Sequence, residues 1–168
     1  LGDIDEDGRT DFIVGLRATG AAAVYGGHTV WSFEPGHYPK IRGAPVLLAQ
    51  KGAGLPGSPE VVAGSDYGFD VANAFNVVGG DANDYLISAP AAVGSANGRV
   101  HLYDGDTHAL ALTIENLNAA VVNFGWSVAG LGDINQGGKP DFAVGAPDPQ
   151  NGGHVFIFLG ESLGAGGQ

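Results

Sequence analysis

The chain has 168 residues, 30 of them glycine and none cysteine, with 44% hydrophobic residues and a formal net charge of −11. The missing cysteines exclude a disulfide scaffold, and the acidic balance argues against nucleic acid or an anionic membrane surface as partner, because phosphate binding draws its affinity from Lys and Arg. No apolar run approaches a membrane span of about 20 residues, these residues carry no signal-peptide pattern, which a fragment could have lost, and the runs between the glycines are too apolar for a disordered chain.

The chain opens Leu1-Gly2-Asp3-Ile4-Asp5-Glu6-Asp7-Gly8-Arg9-Thr10-Asp11. Counted from Asp3, carboxylates stand at positions one, three, five and nine (Asp3, Asp5, Asp7 and Asp11), with Gly8 at six and Arg9 at seven. Hard oxygen ligands at alternate positions, around a glycine that lets the loop wrap, are what Ca2+ requires; Arg9 would contribute only its backbone carbonyl. An EF-hand would place a bidentate Glu at position twelve, which here is Val14, and would flank the loop with helices instead of strand patterns. The alternative is an acidic surface turn, since Asp and Gly are both favoured there. Against it, carboxylates this crowded repel unless a cation offsets them. Mg2+ suits the loop less well, because it prefers rigid octahedral sites that keep several waters.

Ala21 to Tyr25 fits a strand, after which the pattern breaks. Trp31-Ser32-Phe33 and Pro45 to Ala49 are expected to contribute outer-strand structure in a Pro/Gly-rich stretch. His28 and His37 lack a second ligand at a defined spacing and read as solvated loop residues. From Tyr67 the chain becomes regular. Tyr67 to Ala72 and Phe124 to Ala129 read as first strands, Asp84 to Pro90 and Asp141 to Pro147 as second strands, and Asn97 to Tyr103 and His154 to Leu159 as third strands, while Leu110, Leu112 and Ile114 mark a fourth. The alternation of Trp126 with Val128, and of Phe142 with Val144, predicts a sheet covered on both faces.

The loop from Asn76 to Asp84 carries Val78 and Gly80 where oxygen ligands should stand, so no metal is expected there, and Asp81 and Asn83 are expected to satisfy the turn backbone. The loop from Asp133 to Asp141 keeps Asp133, Asn135 and Asp141 but has Gly137 at position five and Lys139 at seven. One side-chain ligand is lost, and water would replace it.

The shared aspartates Asp11, Asp84 and Asp141 lie 73 and 57 residues apart, the first interval stretched by an insertion at 25–66. Periods of this order with several short strands per unit indicate a propeller or another repeat array. The combination of Phe-Gly, an Asp-x-Asp/Asn loop and Gly-Ala-Pro resembles the FG-GAP repeat of integrin α-subunit β-propellers, which also occurs in bacterial surface proteins; a bacterial source is the expectation. The resemblance covers the chain outside 25–66. It implies an all-β fold: a partial β-propeller of antiparallel four-stranded blades, not a closed ring in this chain, because three repeats fall short of about seven blades. The expected units are an incomplete first blade with an insertion (1–66), a second blade (67–123) and a third blade lacking its outer strand (124–168). The chain would then begin and end inside a blade, as a piece of a longer protein does. The resemblance also implies Ca2+ in the loop between first and second strands, held by Asp3, Asp5, Asp7, Arg9 and Asp11, and more weakly by Asp133, Asn135, Gly137, Lys139 and Asp141.

No catalytic motif stands out: Gly-x-Ser-x-Gly, His-Glu-x-x-His and the P-loop are all absent. Ser88, His101 and Asp104 form a triad on paper, but Ser88 replaces a strand-end glycine of the repeat and His101 lies on a strand. The reading is a non-enzymatic, calcium-stabilised propeller segment of a cell-surface or secreted protein, used for adhesion or for binding a protein or carbohydrate ligand. Arg42-Gly43-Ala44 lacks the Asp of an integrin-type recognition tripeptide, and Asp7-Gly8-Arg9 runs in the wrong order. The alternatives are an accessory propeller attached to a hydrolase and a scaffold without a ligand of its own. Apolar residues on the terminal blades, Phe12 and Val14 at one end and Val155 and Ile157 or Phe156 and Phe158 at the other, point to a homodimer through open blade faces.

Overall fold

The computed structural model describes residues 1–27, 30–32, 40–42, 46–52, 66–90, 98–116, 118, 121–150 and 152–163. Short runs of β-branched, aromatic and alanine residues between glycine-rich turns form strands throughout. In chain order they are β1 (Phe12–Leu16), β2 (Ala21–Gly26), β3 (Val30–Ser32), β4 (Lys40–Arg42), β5 (Val46–Gly52), β6 (Val71–Phe75), β7 (Asp84–Ala89), β8 (Arg99–Tyr103), β9 (Leu110–Glu115), β10 (Ser127–Gly132), β11 (Asp141–Ala146) and β12 (His154–Phe158). They assemble into three antiparallel blade sheets, ordered β1-β2-β5, β6-β7-β8-β9 and β10-β11-β12, and a separate β3-β4 hairpin. No helix among the described residues is long and apolar enough to cross a membrane, which says nothing of β-barrels.

The second sheet has four strands in sequence order, with β9 at its outer edge as Leu110, Leu112 and Ile114 predict. The first sheet corresponds to strands two to four of the repeat. Its outer strand is β5, whereas Trp31 and Ser32 belong to the β3-β4 hairpin, outside the blade. Phe33 and Pro45 lie outside the described residues. The isolated bridge between Gly2 and Asp11 occupies the place of the last first-strand pairs in the other blades, Phe75 with Asp84 and Gly132 with Asp141.

The Phe-Gly segments are turns, not strands, which corrects the sequence reading. Strands β6 and β10 begin only at Val71 and Ser127. Gly68 (φ 80°) and Gly125 (φ 86°) adopt left-handed backbone and press against the carbonyls of Ala21 and Arg99, the first residues of β2 and β8 in the preceding blade. A side chain there would be strained and would collide with that neighbour. Gly68 and Gly125 then donate their N–H groups to Ser88 and Gly145 near the end of the second strand, at 2.9 and 3.2 Å. The Phe-Gly turn therefore staples one blade to the next. Trp126 lies in this turn, 48% exposed and packed on Phe69 with ring centroids 4.8 Å apart, so it takes no part in the predicted alternation.

Two packed layers hold the sheets together. Between the second and third sheets, Leu86, Val100, Leu102 and Ile114 pack with Val128, Phe142, Val144 and Ala146. Phe156 and Phe158 point into this layer, leaving Val155 and Ile157 as the exposed pair of β12, at 73% and 55%. Asp70 ties the same blades by accepting the Val128 N–H at 2.8 Å, and Lys139 Nζ donates to the Val77 carbonyl at 3.1 Å. Between the first and second sheets, Ala22 and Val24 pack with Tyr67, Tyr85, Ile87 and Tyr103. This layer is more polar. The Tyr67 and Tyr103 hydroxyls are 2.7 Å apart, and His101 Nδ1 is paired with Thr113 Oγ1 at 3.0 Å.

His101 is buried, and burial, helped by the Arg99 charge, holds its pKa down to about 4 against an ordinary 6.5. Between those pH values the unfolded chain binds more protons than the folded one, so the His101 contribution is complete above pH 6.5 and is lost as pH falls toward 4. The full loss is roughly 3 kcal/mol. Denaturant melts of His101→Gln should show a flatter pH dependence of stability across this window than the parent. Parallel curves would show that His101 is not the titrating group.

Candidate metal centre

Each blade places its repeat aspartate at the start of the second strand, fully buried: Asp11 is 1% exposed and Asp84 and Asp141 are 0%. Each makes the same two kinds of hydrogen bond. One carboxylate oxygen accepts the N–H at the second loop position: Ile4 donates to Asp11 at 2.7 Å, Val77 to Asp84 at 2.7 Å and Ile134 to Asp141 at 3.0 Å. The other accepts a glycine N–H from the turn after the third strand: Gly27 at 2.7 Å, Gly105 at 3.0 Å and Gly160 at 2.9 Å. Asp84 also accepts from Val78 at 2.7 Å. Burial holds the Asp84 carboxyl above its ordinary value, and the three backbone donors only partly offset it. This aspartate is a strut joining loop, strand and turn, with or without a metal.

The first and third loops share one conformation. Position four carries a left-handed non-glycine residue, Glu6 (φ 59°) or Gln136 (φ 60°), and position six a left-handed glycine, Gly8 (φ 85°) or Gly138 (φ 89°). A non-glycine residue there costs about 1 kcal/mol or more, so the rest of the loop imposes it. Asp3 accepts the N–H groups of Asp7 (3.0 Å) and Gly8 (2.7 Å), as Asp133 accepts those of Gly137 and Gly138, both at 2.9 Å. Position three repeats the match, with Asp5 accepting from Asp7 at 3.2 Å and Asn135 from Gly137 at 2.9 Å.

The first loop gathers Asp3, Asp5 and Asp11, whose carboxylate oxygens lie within 4.8 Å of one another; no other group of three or more acidic or histidine ligands does so among the described residues. Asp7 stands outside this group and accepts the Arg9 N–H at 2.9 Å. Arg9 and Gly137 are exposed, and the Lys139 amine is turned toward the second blade. The donor set is all oxygen, without sulfur or imidazole, and it fits a hard divalent cation.

The second-blade loop is closed differently from the sequence expectation. Asp106 accepts the N–H groups of Asp81 and Ala82, both at 3.1 Å, while the Asp81 side chain is exposed. Asn83 reaches the first blade, donating from Nδ2 to the Leu1 carbonyl at 2.8 Å. Sequence reading missed Asp106; its signal is the Gly-acid pair following the third strand, Gly105-Asp106, which recurs as Gly160-Glu161. The paper triad does not assemble. Ser88 pairs with Val100 across β7 and β8, one residue out of step with His101, so the two side chains take opposite faces. The Ser88 hydroxyl accepts the Asp70 N–H at 3.0 Å, and Asp104 caps its own turn through Thr107 at 2.8 Å.

Residues 124–158 match the family model described as the FG-GAP repeat. The chain carries an FG-GAP repeat and is similar to integrin alpha subunits. It is 61% identical over 41 residues, 24% of its length, to integrin alpha-7 of Homo sapiens. It is also 35% identical over 115 residues (60% of its length) to integrin alpha-PS2 of Drosophila melanogaster, and 28% identical over 158 residues (87%) to integrin alpha pat-2 of Caenorhabditis elegans. The chain spans only 3%, 8% and 13% of the length of those relatives. Its stacked antiparallel sheets are blades of a partial β-propeller.

Proposed function

We propose that this FG-GAP chain is a calcium-binding propeller segment of an extracellular or cell-surface protein, non-catalytic and used for adhesion or ligand binding. The convergence of the Asp3, Asp5 and Asp11 carboxylates within 4.8 Å carries the calcium reading. Asp3, Asp5, Asp7 and Asp11 would hold the ion in the first loop with the Arg9 carbonyl, and Asp133, Asn135 and Asp141 with the Lys139 carbonyl in the third. The ion would neutralise carboxylates that otherwise repel, and so fix the hairpin at the blade end. Integrin relatives support the adhesion reading.

Calorimetric titration with Ca2+ should give two binding events, the tighter abolished by Asp3→Asn and the weaker by Asp133→Asn, because the first loop carries more carboxylates. Equal affinities, or a tighter third-blade event, would overturn that ranking. No heat and no protection at millimolar Ca2+ would remove calcium from the proposal.

A further inference from the structure

We propose that Glu161 is a calcium ligand of the third-blade loop, delivering from the turn after β12 the carboxylate that Gly137 does not carry. The inference rests on the calcium reading above and adds a residue that lies outside the nine-residue loop.

Three observations converge on it. First, the Glu161 carboxylate occupies the space of a position-five side chain. A β-carbon at Gly137 would stand 2.6 Å from Glu161 Oε2 and 2.8 Å from Oε1. Gly137 is therefore the residue that admits Glu161, and no side chain fits there while Glu161 keeps this position. Second, Glu161 is already tied to a loop ligand. Its Oε1 accepts the Asn135 Nδ2–H at 2.6 Å, which fixes the amide so that Asn135 Oδ1 faces the loop, where it accepts the Gly137 N–H. Oε2 remains for a cation.

Third, the blades show a reciprocal pattern. Gly27, Gly105 and Gly160 are equivalent, each donating to its blade's buried aspartate. The residue after each is His28, Asp106 or Glu161, and the matching position five is Asp7, Gly80 or Gly137. Where the loop has its own carboxylate, the turn has none. Where the loop has glycine, an acid from the turn stands directly against it, Asp106 at Gly80 and Glu161 at Gly137. In the second blade the shorter Asp106 takes loop N–H groups in a loop without ligands at positions three and five. Glu161, one methylene longer, meets a loop that still carries Asp133 and Asn135. Asp133, Asp141 and Glu161 do not gather as closely as the first-loop trio, so a cation would draw the exposed Glu161 side chain inward.

The test is calorimetric Ca2+ titration of the full chain, with the third-loop event assigned by its loss in Asp133→Asn. Glu161→Gln should weaken that event about tenfold or more and leave the first-loop event unchanged. Its melting temperature in excess chelator should match the parent, which a merely structural role would not predict. Gly137→Asp should fail to strengthen binding in the parent, where the new carboxylate meets Glu161, yet strengthen it in the Glu161→Gln background. Gly137 has no left-handed backbone, so both variants are expected to fold. Third-loop affinity within twofold of the parent in Glu161→Gln, or equal gains from Gly137→Asp in both backgrounds, would overturn the role of Glu161 and leave calcium binding intact. The absence of any event sensitive to Asp133→Asn would overturn both.

Discussion

Asp84→Ala should destabilise the protein by about 3 kcal/mol or more, equally in calcium and in chelator. Asp84 is 0% exposed and accepts three backbone N–H groups, from Val77, Val78 and Gly105. Hydrogen bonds to a charged group are worth roughly 1.5–3 kcal/mol each, and the alanine leaves all three donors without that acceptor. Asp84→Asn should cost less, because its single oxygen can still serve Val77 and Val78 while its amide nitrogen turns toward the Gly105 N–H. In a chain of this size the alanine variant should melt roughly 10 °C lower. Since the second-blade loop lacks ligands at positions three and five, calcium should not rescue it. A melt within 2 °C or so of the parent, at the precision that scaling allows, would show that the strut is dispensable.

The same geometry explains how much of this protein could be read from its residues. The matching templates Asp84 to Ala89 and Asp141 to Ala146 located β7 and β11 at once, because both segments are short apolar runs that recur in the same register of the repeat. The three repeat aspartates were visible as a register mark, but their role as buried acceptors was not, since the donors that define it lie 16 to 21 residues away in the chain. Tyr67-Gly68-Phe69 and Phe124-Gly125-Trp126 look like strand because their aromatics alternate with small residues. Left-handed glycine at 68 and 125 makes them turns, and conformation at a single φ leaves no trace in hydrophobic periodicity.

For the candidate site, the loop ligands were legible because they are contiguous. Asp106 and Glu161 were not, because they approach Gly80 and Gly137 from another turn of the same blade. A glycine at a ligand position reads as a loss until the side chain that fills its space is seen. The outer strand of the first blade was placed only in part for a related reason: pairing with β2, not local sequence, makes β5 the outer strand and leaves β3 with β4.

Calcium should raise the melting temperature of the parent by roughly 10–20 °C when both loops are saturated. A ligand that binds the folded state alone adds RT ln(1 + [L]/Kd), about 2.7 kcal/mol per site at one hundred times Kd. Two loops therefore contribute about 5 kcal/mol, and a chain of this length gains roughly 2–4 °C per kcal/mol. The apo protein should nevertheless remain folded. Asp3 and Asp133 already accept two backbone N–H groups each, and Asp11 and Asp141 are anchored from both sides, so the loops hold their shape before any ion arrives. The expected record is a cooperative melt in chelator that moves upward with Ca2+ in parent protein, moves about half as far in Asp3→Asn, and stays fixed in Asp3→Asn/Asp133→Asn. An unchanged melt of the parent in excess chelator, with metal content shown to be nil, would mean that these loops are acidic turns held by their own backbone donors.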